Sequence, residues 1–244
     1  ADLVDHHADE GELGALGVGA VVLGARAVEA DHRILHAADG AVHGPRDGVG
    51  ILERVARIDL DGVGDGVRVG DVVVADELVQ HDMDARPLFP RFELPMKGVS
   101  VLPATATLVS RAVDAAQHVL HTVEQAGQSQ AGALSGAALS ELGIAQPRVH
   151  RGLIASGDQF IGAASASQAI RDALPAVLAV EMEGAAVAQV CHDFDVPFVV
   201  IRSISDRADD AAHVDFQRFI TAVASPFSHA VVDALLKQDG VQTS

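Results

Sequence analysis

A single cysteine, Cys191, is all that the 244-residue chain contains, so an internal disulfide framework is excluded. Cations are scarce: 17 Lys and Arg stand against 34 Asp and Glu, a net charge of −17. Nucleic acid and anionic membrane would both repel such a surface, so neither is an expected partner. No apolar run approaches the ~20 residues that a spanning helix needs. No basic stretch followed by an apolar one opens the chain. A removable signal peptide is therefore not expected, and the cytoplasm is the expected compartment. The first quarter lacks still more. Lys is absent before Lys97, Ser before Ser100, Thr before Thr105 and Phe before Phe89. Residues 1–60 are mostly Asp, His, Gly, Ala, Val and Arg, with one candidate strand at 18–23 and little helical periodicity. Two origins stay open for this atypical segment: a diverged N-terminal extension, or a GC-rich gene read in another frame.

What is present is globular. Hydrophobic residues make up 49% and the mean hydropathy is +0.25, enough for one α/β domain over 1–244 with a substantial core. Helical spacing of Leu108, Val109, Val113, Ala116, Leu120 and Val123 predicts a helix over 108–125. An Ala-, Ser- and Gly-rich loop with a short helix at 133–142 should follow, then a strand at 148–155 and a helix at 165–174. A last helix over 215–237 aligns Phe216, Phe219, Ile220, Val223, Phe227, Val231 and Leu235, and Pro226 should kink or split it. The densest stretch is 177–209. An apolar run at 177–180 leads into Glu181 and Glu183, a small-residue helix at 184–194 and a β-branched run at 196–201. That run ends in Arg202-Ser203-Ile204-Ser205-Asp206. Strand, helix, strand predicts a βαβ unit with a buried parallel pair. Ligands in open α/β sheets sit beyond the carboxyl ends of strands, where both acidic clusters, Glu181/Glu183 and Asp206/Asp209, would fall.

Glu181-Met182-Glu183 before a small-residue helix, then Arg202-x-Ile204-Ser205-Asp206 after a strand, resembles the signature of the 5′-methylthioadenosine/S-adenosylhomocysteine nucleosidases. These belong to the purine nucleoside phosphorylase superfamily. Two further stretches are similar to that family: the Gly-rich turn and strand over 64–82, and Ser156-Gly157-Asp158-Gln159-Phe160-Ile161. The resemblance begins at about Gly62. Of a Thr-Gly-x-Ala-Gly-Gly loop that would fall on 57–62, only Gly62 is present. The resemblance implies a three-layer α/β/α sandwich around a mixed central sheet, a homodimer, an adenine nucleoside substrate, and neither metal nor organic cofactor.

Cleaving an N-ribosidic bond needs a proton or hydrogen bond on the leaving base, an anionic setting for the oxocarbenium-like sugar, and an activated water. Asp206, just past a buried strand, is the candidate acid, because burial raises a carboxyl pKa. By resemblance it serves N7 of adenine, oriented by Ser205; otherwise it is a helix cap or a solvated loop carboxylate. Glu183 would grip the ribose hydroxyls and Met182 would pack on the sugar. Glu181 reads as a partner of the helix dipole. Phe160 would stack on adenine, the Ile161 backbone would read the base edge and Phe216 would close the site, though all three also read as core. Arg202 would order the acidic loops. No residue is assigned to activate the water: Glu10, Glu12 and Glu29 lie in no matching context. His81-Asp82-Met83-Asp84 suits no zinc spacing and reads as a surface loop. The apolar loop at 87–92 would reach a second subunit or pack on the core. His192 and His213 read as structural or surface residues. Two other functions remain open: a phosphorylase or another nucleoside hydrolase, and an inactive remnant that only binds adenine nucleosides or dimerises.

Overall fold

The computed structural model describes residues 20–24, 61–126, 134–205 and 216–238. The rest of the atypical 1–60 segment lies outside them, as do Asp206, Asp209 and His213. The strands among them are β1 (Ala20–Gly24), β2 (Asp61–Gly62), β3 (Val72–Gln80), β4 (Leu102–Pro103), β5 (Val149–Ser156), β6 (Val177–Glu181) and β7 (Phe198–Ser203). They form one sheet in the order β1-β7-β3-β5-β6-β2, with β4 on β3. β3, β5 and β6 run parallel, while β1, β2, β4 and β7 pair antiparallel with their neighbours, so the sheet is mixed.

The helices are α1 (Ala106–Ala126), α2 (Gly136–Glu141), α3 (Ala164–Ala173), α4 (Gly184–Asp193), α5 (Phe216–Phe219) and α6 (Ser225–Gln238). Val109, Ala112, Ala116, Leu120 and Val123 recur at helical spacing, which gives α1 an apolar stripe. Most of that stripe packs on Val72, Val74, Val199 and Ile201 of the sheet and on Phe227, Val231 and Leu235 of α6. Strand side chains alternate. Val73, Ala75, Ile154, Ala179 and Val200 therefore point the other way, beneath Ala185, Ala188 and Cys191 of α4. Helices on both faces of a mixed sheet make the expected three layers. Cys191 is free and buried, and burial raises its thiol pKa.

Thr105 starts α1 and pins it to β7: its N–H donates to Phe198 O at 2.9 Å, and its hydroxyl accepts from Phe198 N at 3.0 Å. Ser135 caps α2 by accepting from Ala138 N at 3.2 Å. Removing that cap in Ser135→Ala should cost about 1 kcal/mol, read from urea unfolding.

Pro226 acts as its chemistry requires. With no N–H it cannot bond the carbonyl of Ala222, and the helix runs through a π-helical turn, Ile220–Ala224, just before it. The carbonyl left over accepts from Leu134 N at 3.1 Å.

The expectation of a parallel β6–β7 pair is overturned. β3 and β5 lie between the two strands, and β7 runs antiparallel to β3. The helix between them makes a longer crossover, so β7 ends at the opposite end of the sheet from β6. No helix among the described residues is long and apolar enough to cross a membrane.

Candidate active site

β6 ends in Glu181, and its buried carboxylate organises the start of α4. It accepts from Gly184 N at 2.8 and 2.9 Å, from Glu183 N at 3.1 Å, and from the Ser156 hydroxyl. The Ser156 oxygen in turn accepts from Ala185 N at 2.7 Å. Amides that a helix start leaves open are thereby satisfied, and a negative charge sits at the positive end of the dipole. Gly184 is needed there, because a Cβ would stand 2.8 Å from Leu78 and 2.9 Å from the Glu181 carboxylate.

Arg202 completes the cluster. Its guanidinium pairs with Glu181, and both side chains are essentially buried, at 1% and 0% exposure. Register places Arg202 opposite Val73, near the start of β3, while Glu181 lies opposite Ser156 and hence level with Gln80. In a flat sheet these positions would be about 27 Å apart. Contact between them shows that the sheet coils strongly, with register shifts at Ala75/Glu77 and Leu153/Ile154.

Because Glu181 serves the helix, Glu183 does not. Glu183 is the N-cap residue of α4 but makes no side-chain cap. Its side chain is 38% exposed, and its buried Oε2 lies 3.5 Å from the Arg202 guanidinium. Two carboxylates thus share one guanidinium, and the second belongs to a part-exposed side chain held on one side by the arginine. Met182 is half-buried between them.

One strand over, β5 delivers Gly157-Asp158-Gln159-Phe160-Ile161. The Phe160 ring is 56% exposed and lies over Gly162, where a Cβ would be 2.5 Å away. Ile161 is buried with Val63, Val79 and Ala155, so only its backbone is available to a ligand. Ser205 is buried three residues beyond Arg202. Asp206 and the side chain of Phe216 lie outside the described residues; the backbone of Phe216 opens α5. The structure thus brings together Met182, Glu183 and Arg202, with Phe160 and Ile161 at the adjacent strand end.

Two residues gain roles that local pattern did not assign. Ser156 links β5 to Glu181 and α4. His81 was expected on a surface loop and is instead buried, at 9% exposure, although Asp82 and Asp84 beside it are exposed. Its backbone N–H donates to Ser156 O at 2.9 Å, which draws the ring inward. The available signal was its position straight after the β3 run. His192 is 45% exposed beside Asp193, as expected. Among the described residues, no group of three or more His, Cys, Asp and Glu could hold a metal.

The family model of the Phosphorylase superfamily matches residues 62–237. The chain is 35% identical over 175 residues to the 5′-methylthioadenosine/S-adenosylhomocysteine nucleosidase of Haemophilus influenzae, covering 71% of this chain and 65% of that protein. The Neisseria meningitidis enzyme of the same name, solved with methylthio-immucillin-A, matches with a TM-score of 0.55 at 30% identity. That match covers 74% of this chain and 67% of the other. A futalosine hydrolase mutant of Helicobacter pylori matches with a TM-score of 0.54 at 28% identity, over 74% of this chain and 66% of the other. The chain spans slightly less than two thirds of the length of the curated relatives it matches.

Proposed function

The chain belongs to the phosphorylase superfamily, and on that premise we propose that it is a cytoplasmic nucleosidase that hydrolyses 5′-methylthioadenosine and S-adenosylhomocysteine. Water adds at C1′ of the ribose, the C1′–N9 bond breaks with its electron pair on the base, and adenine leaves with a proton. The carrying observation is the division of labour at the end of β6: Glu181 is consumed by the helix start and Arg202, while Glu183 makes no helix cap and is held beside the arginine on a part-exposed side chain. A fixed carboxylate at the ribose binds the hydroxyls and favours the positive charge that builds on the sugar. Met182 packs against the sugar. Asp206 supplies the proton at N7, with Ser205 orienting it, and Phe216 closes over the ligand. No metal or organic cofactor enters the scheme.

Phe160 offers an exposed ring for stacking on adenine. Base–aromatic stacking is worth about 1–3 kcal/mol, so Phe160→Ala should raise KM roughly 5- to 150-fold with a smaller change in kcat. Steady-state kinetics on 5′-methylthioadenosine check this.

The primary experiment is adenine release from 5′-methylthioadenosine by the full chain in phosphate-free buffer. Release supports the nucleosidase. Release only on adding phosphate would assign a phosphorylase instead, and adenine binding without turnover would assign an inactive binder. Likeness to the futalosine hydrolase favours a second reading, in which another nucleoside is hydrolysed at the same site. Comparing kcat/KM for futalosine and 5′-methylthioadenosine separates the two.

A second copy of this chain is the proposed partner. Leu88 and Met96 are 83% and 89% exposed, on the segment between β3 and β4. Large apolar side chains so exposed fit burial against a dimer mate. Sedimentation at a mass near 25 kDa, the monomer value, would refute the dimer.

A further inference from the structure

His81 holds a buried imidazole whose Nε2 has no hydrogen-bond partner among the described residues. A buried polar nitrogen without a partner is destabilising and asks for a reason. The residue directly follows β3, at the carboxyl ends of the parallel strands β3, β5 and β6, where sheets of this class hold ligands.

Around it the turn after β5 is fastened from both sides. His81 N donates to Ser156 O at 2.9 Å, Asp158 N donates to the Asp82 carboxylate at 2.7 Å, and Gly157 N donates to Glu181 O at 3.1 Å. The imidazole fills the space between these bonds. A Cβ on Gly157 would stand 2.3 Å from its Nε2, so residue 157 is a glycine to admit this ring. Phe160 and Ile161 follow three and four residues on.

We propose that His81 is a positioning residue for the nucleoside base: its neutral ring, wedged against Gly157, sets the course of the turn that presents Phe160 and the Ile161 backbone. This deepens the adenine-nucleoside reading above and rests on it. A second proton on the ring is incompatible with the arrangement, because the charged ring must carry an N–H at both nitrogens. The protonated Nε2 would face the Gly157 backbone carbon, which accepts nothing. The ring would turn toward a carboxylate, and the one that acts on it most strongly, Asp82, is the acceptor of the clamp itself.

The charged groups facing the ring are Asp82 on its own turn, Asp158 after β5, Glu181 on β6 and Arg91 from the following loop. Burial is the largest influence and lowers the ring's pKa below 6.5. Arg91 acts in the same direction, against the three carboxylates. The ring is therefore neutral at pH 7. Because the unfolded chain takes up this proton first, stability falls as pH drops from 6.5 toward the folded value, and the positioning is lost only below that folded value.

The test measures KM and kcat for 5′-methylthioadenosine from about pH 5 to pH 8 in wild type, His81→Gln and His81→Phe. Wild-type KM is expected to rise about tenfold per pH unit below the ring's pKa. Both variants, which cannot take up the proton, should lack that rise; His81→Phe keeps a ring in place should His81→Gln fold poorly. A purely structural residue would change KM at every pH and leave the acid rise in place, and a rise that survives in the variants overturns the proposal. If wild type binds adenine without turnover, its calorimetric affinity over the same pH range replaces KM with the same expectation. A wild type that neither releases nor binds adenine refutes the functional reading, and the role of His81 with it; a wild type that turns over while the acid rise survives refutes the role alone.

Discussion

Replacing Asp206 by Asn should lower kcat for adenine release by about 10²–10⁴-fold, the range for loss of a positioned general acid, with KM changed much less. The substitution keeps the size and a hydrogen-bonding oxygen, and removes only the transferable proton. Adenine leaves poorly as an anion, so the deficit should fall on bond breaking rather than on binding. Asp206 directly follows Ser205, which is buried at the end of β7 three residues beyond the anchored Arg202. Steady-state kinetics on 5′-methylthioadenosine, with thermal melts to show an intact fold, provide the measurement. A variant within threefold of wild type would remove Asp206 from the chemistry. A rise in KM at unchanged kcat would make it a binding residue.

Arg202→Met should lower the unfolding free energy by about 3–5 kcal/mol, as breaking a buried ion pair from one side does. Both partners are essentially buried, at 1% and 0% exposure, so the loss leaves the Glu181 carboxylate without its counter-charge. Amides of Glu183 and Gly184 continue to donate to that carboxylate, which places the expected value toward the lower end. Urea unfolding gives the number. The double variant Arg202→Met/Glu181→Gln should recover part of the loss, because no buried charge then remains unpaired. A single variant within about 1 kcal/mol of wild type would show that the pair is not buried in solution. The same variant should raise KM, since Glu183 loses the cation 3.5 Å behind it.

Much of this architecture was legible in local pattern. The stripe from Val109 to Val123 determined α1, the β-branched run up to Ile201 determined β7, and Pro226 determined where the last helix is interrupted. Periodicity and a missing N–H act within a few residues, so they can be read without the fold. The apolar run into Glu181-Met182-Glu183 likewise marked a strand, β6, that ends at Glu181. Strand order was not legible. A strand, a helix and a second strand read as a parallel pair, whereas β3 and β5 stand between β6 and β7. Glu181 already read as the partner of the helix dipole; only the tertiary structure decided what holds it there. Besides the α4 amides, its partners are Ser156 and an arginine carried in by the coil of the sheet, neither of them near it in sequence. His81 lies between exposed acids and looks like surface in one dimension. It is buried because a distant strand places Gly157 against it, and burial is a property of what arrives from elsewhere in the chain.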